Sequence, residues 1–443
     1  MSDRLLPLEE ALAAVLAGVG AVTETETLAP EDALGRVLAQ DVVAQTSLPP
    51  WDNAAMDGFA VRGEDVAAAS EERPVRLALV GEVRAGIAVD AAMGPGTAIR
   101  IATGAPMPPG ADTVVQLELT TPFAADGTPG PRGRETTGPV PAHVLVHERV
   151  DLGNAIRAAG TDVHAGVVVA RAGTVVTSAV VSLAAGVGMG QVVVRRRPVA
   201  AILPTGDELR RPGEPLGPAG IPDANGPGLR ALARDAGADV VDLGIAVDVL
   251  EDVEERLRRG VAAADVVIVS GGVSMGPYDV VKLAFERVGH VDLWKVAIQP
   301  GKPFAFGRAR VPGTDRDVLL LGLPGNPVSS FVTFELFARP VLRRLAGHTV
   351  LQRPTDRAVL EEPVSKSQGR RGFQRVIAVR DEAGMPVRDA QGRVRVRLAG
   401  GQGGQGSHVI SALAAADALA VIPEVYATTE PGLEVELRWL DRS

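Results

Sequence analysis

The chain contains no cysteine. Disulfides, thiolate metal sites and cysteine nucleophiles are therefore excluded. Histidine is scarce, with six in all. His143 and His147 have i,i+4 spacing, but Pro141-Ala142 leads them into a strand pattern rather than a helix face, so a zinc site is not expected there. Aromatics make up only 3%, so the core must be built from Val, Leu, Ile and Ala. Basic residues number 45 against 54 acidic, a formal net charge of -9. That excludes general nucleic-acid binding, which needs a net basic face, but not a local basic pocket. No apolar run is long and charge-free enough to span a bilayer. Glu9 and Glu10 follow Leu5-Leu6 too closely for a secretory leader, and a cytoplasmic location is expected. There is no GxxxxGK[ST] loop and no GxGxxG after a first strand, which weakens the usual NTPase and NAD readings. Gly186-Val187-Gly188-Met189-Gly190 is not followed by a helical pattern.

What is present is a turn-rich globular composition. The 443 residues are 46% apolar, with 51 Gly and 33 Pro, enough for a sizeable core and roughly three domains. Pro7 to Val19 reads as an amphipathic helix. Short strands and turns then run to about residue 165. Thr177 to Gly186 is a short helix closed by glycine. From Pro198 strands alternate with helical runs: Val199–Leu203, Val240–Leu243, Val266–Val269 and strands near Leu293 and Leu319. The helices between and after them cover Gly228–Ala236, Asp252–Ala263, Val280–Val288 and Val328–Leu345. This predicts βαβ units and a doubly wound sheet. After Pro354, alternating segments at Ala358, Gln374, Val394 and Leu433 predict a small barrel or sandwich.

The chemistry-bearing stretches sit at strand ends. Thr205–Glu208, Asp223–Asn225, Asp248, Ser270–Gly276 and Pro324–Pro327 all follow strands or the short loops after them. In an open α/β sheet such turns gather at the carboxyl edge, where ligands bind. Strands that end in glycines such as Gly271 and Gly272 are expected to leave backbone N–H groups bare. Lys295 and Lys302 add positive charge. Bare amides and lysines hold phosphate, and carboxylates beside phosphate point to Mg²⁺. Singly, Asp57, Asp162 and Asp248 read as ordinary turn carboxylates and Lys295 as a solvated strand lysine. The glycine-rich Gly400–His408 reads as a flexible turn more readily than as an anion-binding helix start.

Taken in order, Asp52-Asn53-Ala54-Ala55-Met56-Asp57-Gly58-Phe59-Ala60, Arg100-Ile101-Ala102-Thr103-Gly104-Ala105-Pro106, Thr205-Gly206-Asp207-Glu208-Leu209, Ser270-Gly271-Gly272-Val273-Ser274, Pro300-Gly301-Lys302-Pro303 and Gly322-Leu323-Pro324-Gly325-Asn326-Pro327 resemble the molybdopterin molybdenumtransferases, the MoeA family that includes the E domain of gephyrin. The resemblance covers nearly the whole chain. It implies a multidomain α/β plus β fold. An elongated N-terminal dimerisation domain would take residues 1–45 and 166–195. A β-rich domain carrying Met-Asp-Gly would be inserted at 46–165. An α/β molybdopterin-binding domain would follow at 196–348, and a small barrel-like β domain at 349–443.

The resemblance also implies a reaction. Adenylylated molybdopterin and molybdate give molybdenum cofactor and AMP, with a divalent cation, Mg²⁺. It implies a homodimer whose site lies between the α/β domain of one subunit and the Met-Asp-Gly domain of the other. The carried-over catalytic positions are Asp57, Thr103, Asp162 and Lys295. Those for substrate are Glu208, Ser270, Gly271, Gly272, Ser274, Lys302, Pro324, Asn326 and Pro327, and those for metal are Asp248 and Asp279. Molybdopterin adenylyltransferase and molybdoenzyme maturation proteins are the partners it suggests. The chain departs from the family where Gln299 replaces a common lysine, Ala54 and Ala224 replace hydroxyl residues, and Phe59 stands for tyrosine. These losses leave open a gephyrin-like scaffold, and the shared α/β unit leaves open a molybdopterin adenylyltransferase.

Overall fold

The structure is a computed structural model, and it describes residues 5–87, 93–134, 140–272, 280–400 and 404–440. Ser274 and Asp279, and residues 401–403 of the glycine-rich loop, lie outside the described residues. The chain forms two compact units. One comprises Met1–Glu26, Gly35–Val37 and Val194–Ser443, and the other Thr27–Leu34 and Leu38–Val193.

The first unit is built on a six-stranded sheet: β1 (Val199–Pro204), β2 (Asp239–Asp242), β3 (Val266–Ser270), β4 (His290–Lys295), β5 (Pro303–Arg310) and β6 (Asp317–Leu323). Their spatial order is β2-β1-β3-β6-β5-β4. The first four in that order are parallel, while β5 runs antiparallel to both its neighbours. The central strands are buried on both faces, which is why they read as unbroken apolar runs. Ala200, Ile202, Val266, Ile268, Leu319 and Leu321 face the helix Asn225–Asp235 and the long helix after β6. Ala201, Leu203, Val267, Val269 and Leu320 face the helices Leu250–Ala263 and Val280–Val288. The period of two in the strands thus divides one sequence between two cores.

The helix expected at Val328–Leu345 is present as Pro327–Thr333, a wider π turn at Phe334–Ala338, and Arg339–Leu345. Pro340 has no N–H to give the turn before it, and the wider turn accommodates that loss. The first helix, Leu8–Leu16, places Leu8, Ala11 and Val15 in the core beneath this sheet. It packs in the same core as the α/β sheet.

Five strands after residue 354 close into a ring. Arg371–Ala378 pairs with Val394–Leu398, that with Thr355–Leu360, then Glu434–Trp439, then Ala418–Ile422, which returns to the first. Ala418–Ile422 is the strand the sequence pattern does not separate from the preceding helical run. A closed ring leaves no free edge. Ile298–Gln299 pairs in parallel with Arg371–Gly372, which ties the barrel to the segment between β4 and β5.

In the second unit, a six-stranded sheet runs Thr113–Gln116, Gly58–Val61, Thr97–Ile101, Val75–Val83, His143–Val146, Thr120–Phe123. Gly58 lies against the Val115 carbonyl, in the space a Cβ would need. His143 stacks on Phe123 with ring centroids 4.8 Å apart.

Candidate functional site

The strand order of the α/β sheet reverses between β1 and β3. From β1 the chain goes out to β2, then returns to β3 on the other side of β1. Such a switch point opens a crevice beyond the carboxyl ends of the strands. Here those ends are Pro204-Thr205 and Ser270-Gly271, which are level because Pro204 pairs with Ser270. The Thr205 amide donates to the Ser270 carbonyl at 2.9 Å, and the Gly271 amide donates to the Leu323 carbonyl at 3.1 Å. Gly271 has φ +99°, and a Cβ there would sit 2.7 Å from the Thr205 carbonyl. Only glycine lets the chain turn this close to its neighbour.

A third turn joins them. Asn225 Nδ2 donates to Ser270 Oγ and to the Gly325 carbonyl, both at 2.7 Å. One amide therefore ties the turns after β1, β3 and β6 together. Asp223 accepts the Gly226 amide at 2.9 Å, fixing the start of the helix that carries Asn225. Burial of its carboxyl pushes its pKa up, against that bond.

The two ends of this edge differ in charge. Beyond β1 and β2 lie Asp207, Glu208 and Asp248, with the Asp248 amide donating to Asp207 Oδ1 at 2.9 Å. Partial desolvation raises the pKa of Asp248, and the charges of Asp207 and Glu208 raise it further. At the other end, Lys295 closes β4 opposite Pro303, and Ala305 pairs with Gly322. Lys295 is thus level with the end of β6, with Lys302 just before β5. Four strand spacings of ~4.8 Å separate β1 from β4, about 19 Å across. That span suits a long anionic ligand better than a single phosphate.

The donor set on the acidic end fits a hard divalent cation. It consists of oxygen ligands only, and their mutual repulsion would be relieved by positive charge. Among the described residues no group of three metal-ligating side chains comes together.

A contribution the sequence pattern misses comes from the barrel. Arg375 is 0% exposed. Its Nη2 donates to the Gly406 carbonyl at 3.0 Å, and its backbone N–H donates to Gln405 Oε1 at 2.9 Å. Its Nε and Nη1 have no partner among the described residues. Burial alone lowers its pKa to about 10. The next residue of that loop but one, Ser407, accepts the Val328 amide at 3.1 Å in the first turn after Pro324–Pro327. The glycine-rich loop, expected to be a flexible turn, is thus latched to the site edge with a buried cation behind it. Nothing local marks Arg375, because Gln374-Arg375 inside a strand reads as a solvent face.

Gln299 also has a different place from the anion contact that its position suggests. Its Oε1 accepts the Ser367 amide at 2.9 Å, in the barrel.

In the second unit, Asp57 Oδ1 accepts both the Thr103 amide, at 2.6 Å, and the Thr103 hydroxyl, at 2.8 Å. The structure brings these two together. Asp162 is carried on a neighbouring segment, where Leu48 is bridged to Val163 and Asn53 pairs with Arg157. The Asp162 amide donates to the Leu48 carbonyl at 2.9 Å.

Three family models cover nearly all of the chain: the MoeA N-terminal region (domain I and II) over residues 6–188, a probable molybdopterin binding domain over 201–344, and the MoeA C-terminal region (domain IV) over 357–438. Molybdopterin molybdenumtransferase 2 of Mycobacterium tuberculosis is 38% identical over 411 residues, 91% of this chain and 92% of its own length. The chain belongs to the molybdopterin molybdenumtransferase family. The Haemophilus influenzae molybdopterin molybdenumtransferase is 32% identical over 434 residues, 98% of both chains. A crystal structure of the molybdopterin biosynthesis MoeA protein of Pyrococcus horikosii superposes with a TM-score of 0.78 at 29% identity, covering 99% of this chain and 100% of that one. The molybdenumtransferase likeness therefore extends over both units and the barrel.

Proposed function

We propose that this chain inserts molybdenum from molybdate into adenylylated molybdopterin, with release of AMP. The observation that carries the reading is the edge at the switch point, where Asn225 ties three turns together between a carboxylate end and a lysine end. Family membership supplies the reaction class. The ligand is a pyrophosphate-linked dianion, and its bridge fits the glycine turns at Gly271-Gly272 and Gly325, where no Cβ keeps it off the backbone. Lys295 and Lys302 offset its charge. Arg375, buried and unpaired on two nitrogens, suits a second oxyanion, because an uncompensated buried cation is costly. Asp207, Glu208 and Asp248, with Asp279 as an expected further ligand, would hold Mg²⁺. Its chemistry there is neutralisation of phosphate charge as the bridge is cleaved. Asp57, held by Thr103, and Asp162 are assigned to molybdate positioning or proton transfer.

The site is completed by a second copy of the chain. Residues 173–194 carry no charged side chain, and in the helix Ser178–Gly186 only Ala184 is buried. An uncharged helix whose Val180, Val181 and Leu183 are only half-buried suits an interface. A mass of two chains by light scattering is expected, and a monomer at micromolar concentration would overturn this part. No helix of the described residues is long and apolar enough to cross a membrane, in keeping with a soluble enzyme of the cytoplasm.

The test is AMP release from adenylylated molybdopterin with Mg²⁺ and molybdate, alongside Lys295→Ala. Molybdate-dependent release that this substitution abolishes supports the reading. Tight binding without turnover at any molybdate concentration overturns it in favour of a scaffold. Rapid AMP transfer from ATP to molybdopterin would instead make the chain an adenylyltransferase.

A further inference from the structure

In the second unit, a large aromatic side chain is held in the open beside the candidate carboxylates. Trp51 is 49% exposed. The chain has three tryptophans, and the other two serve packing: Trp294 lies against Phe304 and Phe306, and Trp439 is buried in the barrel. The segment through Trp51 is bonded on both sides. Before it, the Leu48 amide donates to the Val163 carbonyl at 2.7 Å, and the Asp162 and Gly160 amides donate to the Leu48 and Pro49 carbonyls, both at 2.9 Å. After it, Asp52 accepts the Ala159 amide on Oδ1 at 2.7 Å and the Met107 amide on its carbonyl at 2.9 Å. Asn53 Nδ2 donates to the Trp51 carbonyl itself at 3.3 Å. The backbone under the ring is therefore fixed, and a flat ligand would meet it at low entropic cost. The same bonds place the ring. Three residues before Trp51, Leu48 holds the Asp162 segment. Three residues after it, Ala54 exchanges bonds with Gly104 and Ala105, just past the Thr103 that holds Asp57. Trp51 thus stands midway along a strip of chain that joins the two carboxylates, no more than about 11 Å of extended chain from either anchor.

We infer that Trp51 is the stacking platform for the pterin of the substrate. The inference rests on the proposed function for the identity of that substrate. The proposed reaction puts molybdenum on the sulfur pair that adjoins the pterin. The group beside the molybdate is therefore the pterin, whereas the adenine lies beyond the pyrophosphate. With Asp57 and Asp162 assigned to molybdate, an aromatic face between them meets the pterin end. The pyrimidine ring of a pterin is flat and electron-poor, and the negative face of an indole favours offset stacking on such a ring. Stacking uses only the face. The polar edge of the pterin, whose amide and amino groups need hydrogen-bond partners, stays clear of the indole and open to water or polar side chains.

The test compares the full-length natural protein with Trp51→Ala and Trp51→Phe. Adenylylated molybdopterin is added without molybdate, its affinity is measured by calorimetry, and ring contact is read from quenching of tryptophan emission. AMP alone is the control ligand, and melting temperature and mass in solution control for folding and association. The expected result is quenching in the natural chain and affinity lowered about tenfold in Trp51→Ala, the range for loss of one stacked ring. Trp51→Phe, which keeps an aromatic face, should stay within about threefold of the natural chain. In turnover, Trp51→Ala should raise KM and keep kcat, as loss of uniform binding does. Equal affinity in Trp51→Ala overturns the assignment. So does an equal weakening of AMP binding, which would put the ring with the adenine, or a fall to the mass of one chain, which would make Trp51 an interface residue. Molybdate-dependent turnover with an unchanged KM in Trp51→Ala also overturns it and leaves the proposed function standing. Quenching and weakened binding in a protein that never releases AMP keep the platform and remove the function.

Discussion

Two carboxylate groups of this molecule are held in opposite ways. Asp57, in the second unit, accepts two hydrogen bonds from Thr103 on a single oxygen. Asp248, at the α/β edge, is raised in pKa first by desolvation and then by the like charges of Asp207 and Glu208, against a backbone hydrogen bond at Asp207. The first is fixed by donors and needs nothing more to keep its place. The second is partly desolvated among like charges, and a proton or a cation would relieve it further. The difference teaches that Asp57 is positioned by the fold, whereas Asp248 is completed by its ligand.

The largest expected effect breaks the second arrangement. Asp248→Asn should lower AMP release about 10- to 100-fold, the usual range for loss of a metal-site partner, yet leave the melting temperature at neutral pH unchanged or higher. Titration of Mg²⁺ against turnover in both proteins measures this. An unaltered Mg²⁺ dependence would show that Asp248 is no part of a cation site.

Asp57→Ala should do the reverse, lowering stability itself. Loss of a charged acceptor from two donors is worth a few kcal/mol when buried, and about 1 kcal/mol at this exposed position. Denaturant unfolding reads it, and an unchanged midpoint would show that the Thr103 contacts carry no stability.

The pH dependence sharpens the contrast. The folded pKa of Asp248 is raised above its unfolded value, so the folded state binds the extra proton between the two values. Its contribution to stability is therefore lost as pH rises through that window, from about 3.8 upward. Stability curves of the natural chain and Asp248→Asn should diverge across it. Parallel curves would refute the crowding. The smallest effect belongs to Thr103→Val, which removes the hydroxyl but keeps the amide bond to Asp57. About 0.5–1 kcal/mol of stability should be lost, less than in Asp57→Ala. A larger loss would place the weight on the hydroxyl.

Much of the α/β edge was legible in the sequence because it obeys local rules. Val266–Val269 and Leu319–Leu321 are apolar runs that end in glycine or proline, and a parallel sheet must put such ends on one side. The Gly400–His408 stretch was legible only as a glycine-rich turn. Its latch to Val328 and its buried Arg375 depend on barrel closure, which brings residues near 375 and 406 beside residue 328. Gln299 shows the same limit. Its neighbours in sequence place it in an anion-binding motif, while its bonded partner is the Ser367 amide. The strand Ala418–Ile422 went unseparated because a short buried apolar run has no period of its own.

By itself, the sequence determined the element types, the family motifs and the side of the sheet on which the turns collect. Hydrophobic period and chain direction are properties of neighbouring residues. Only the tertiary structure decided which charges are satisfied and which are not. Asp57 lies 46 residues from Thr103 and Asp248 41 residues from Asp207, while two nitrogens of Arg375 have no partner among the described residues. Whether a charge is paired, crowded or bare depends on distance and burial in the folded chain, and no local pattern encodes either.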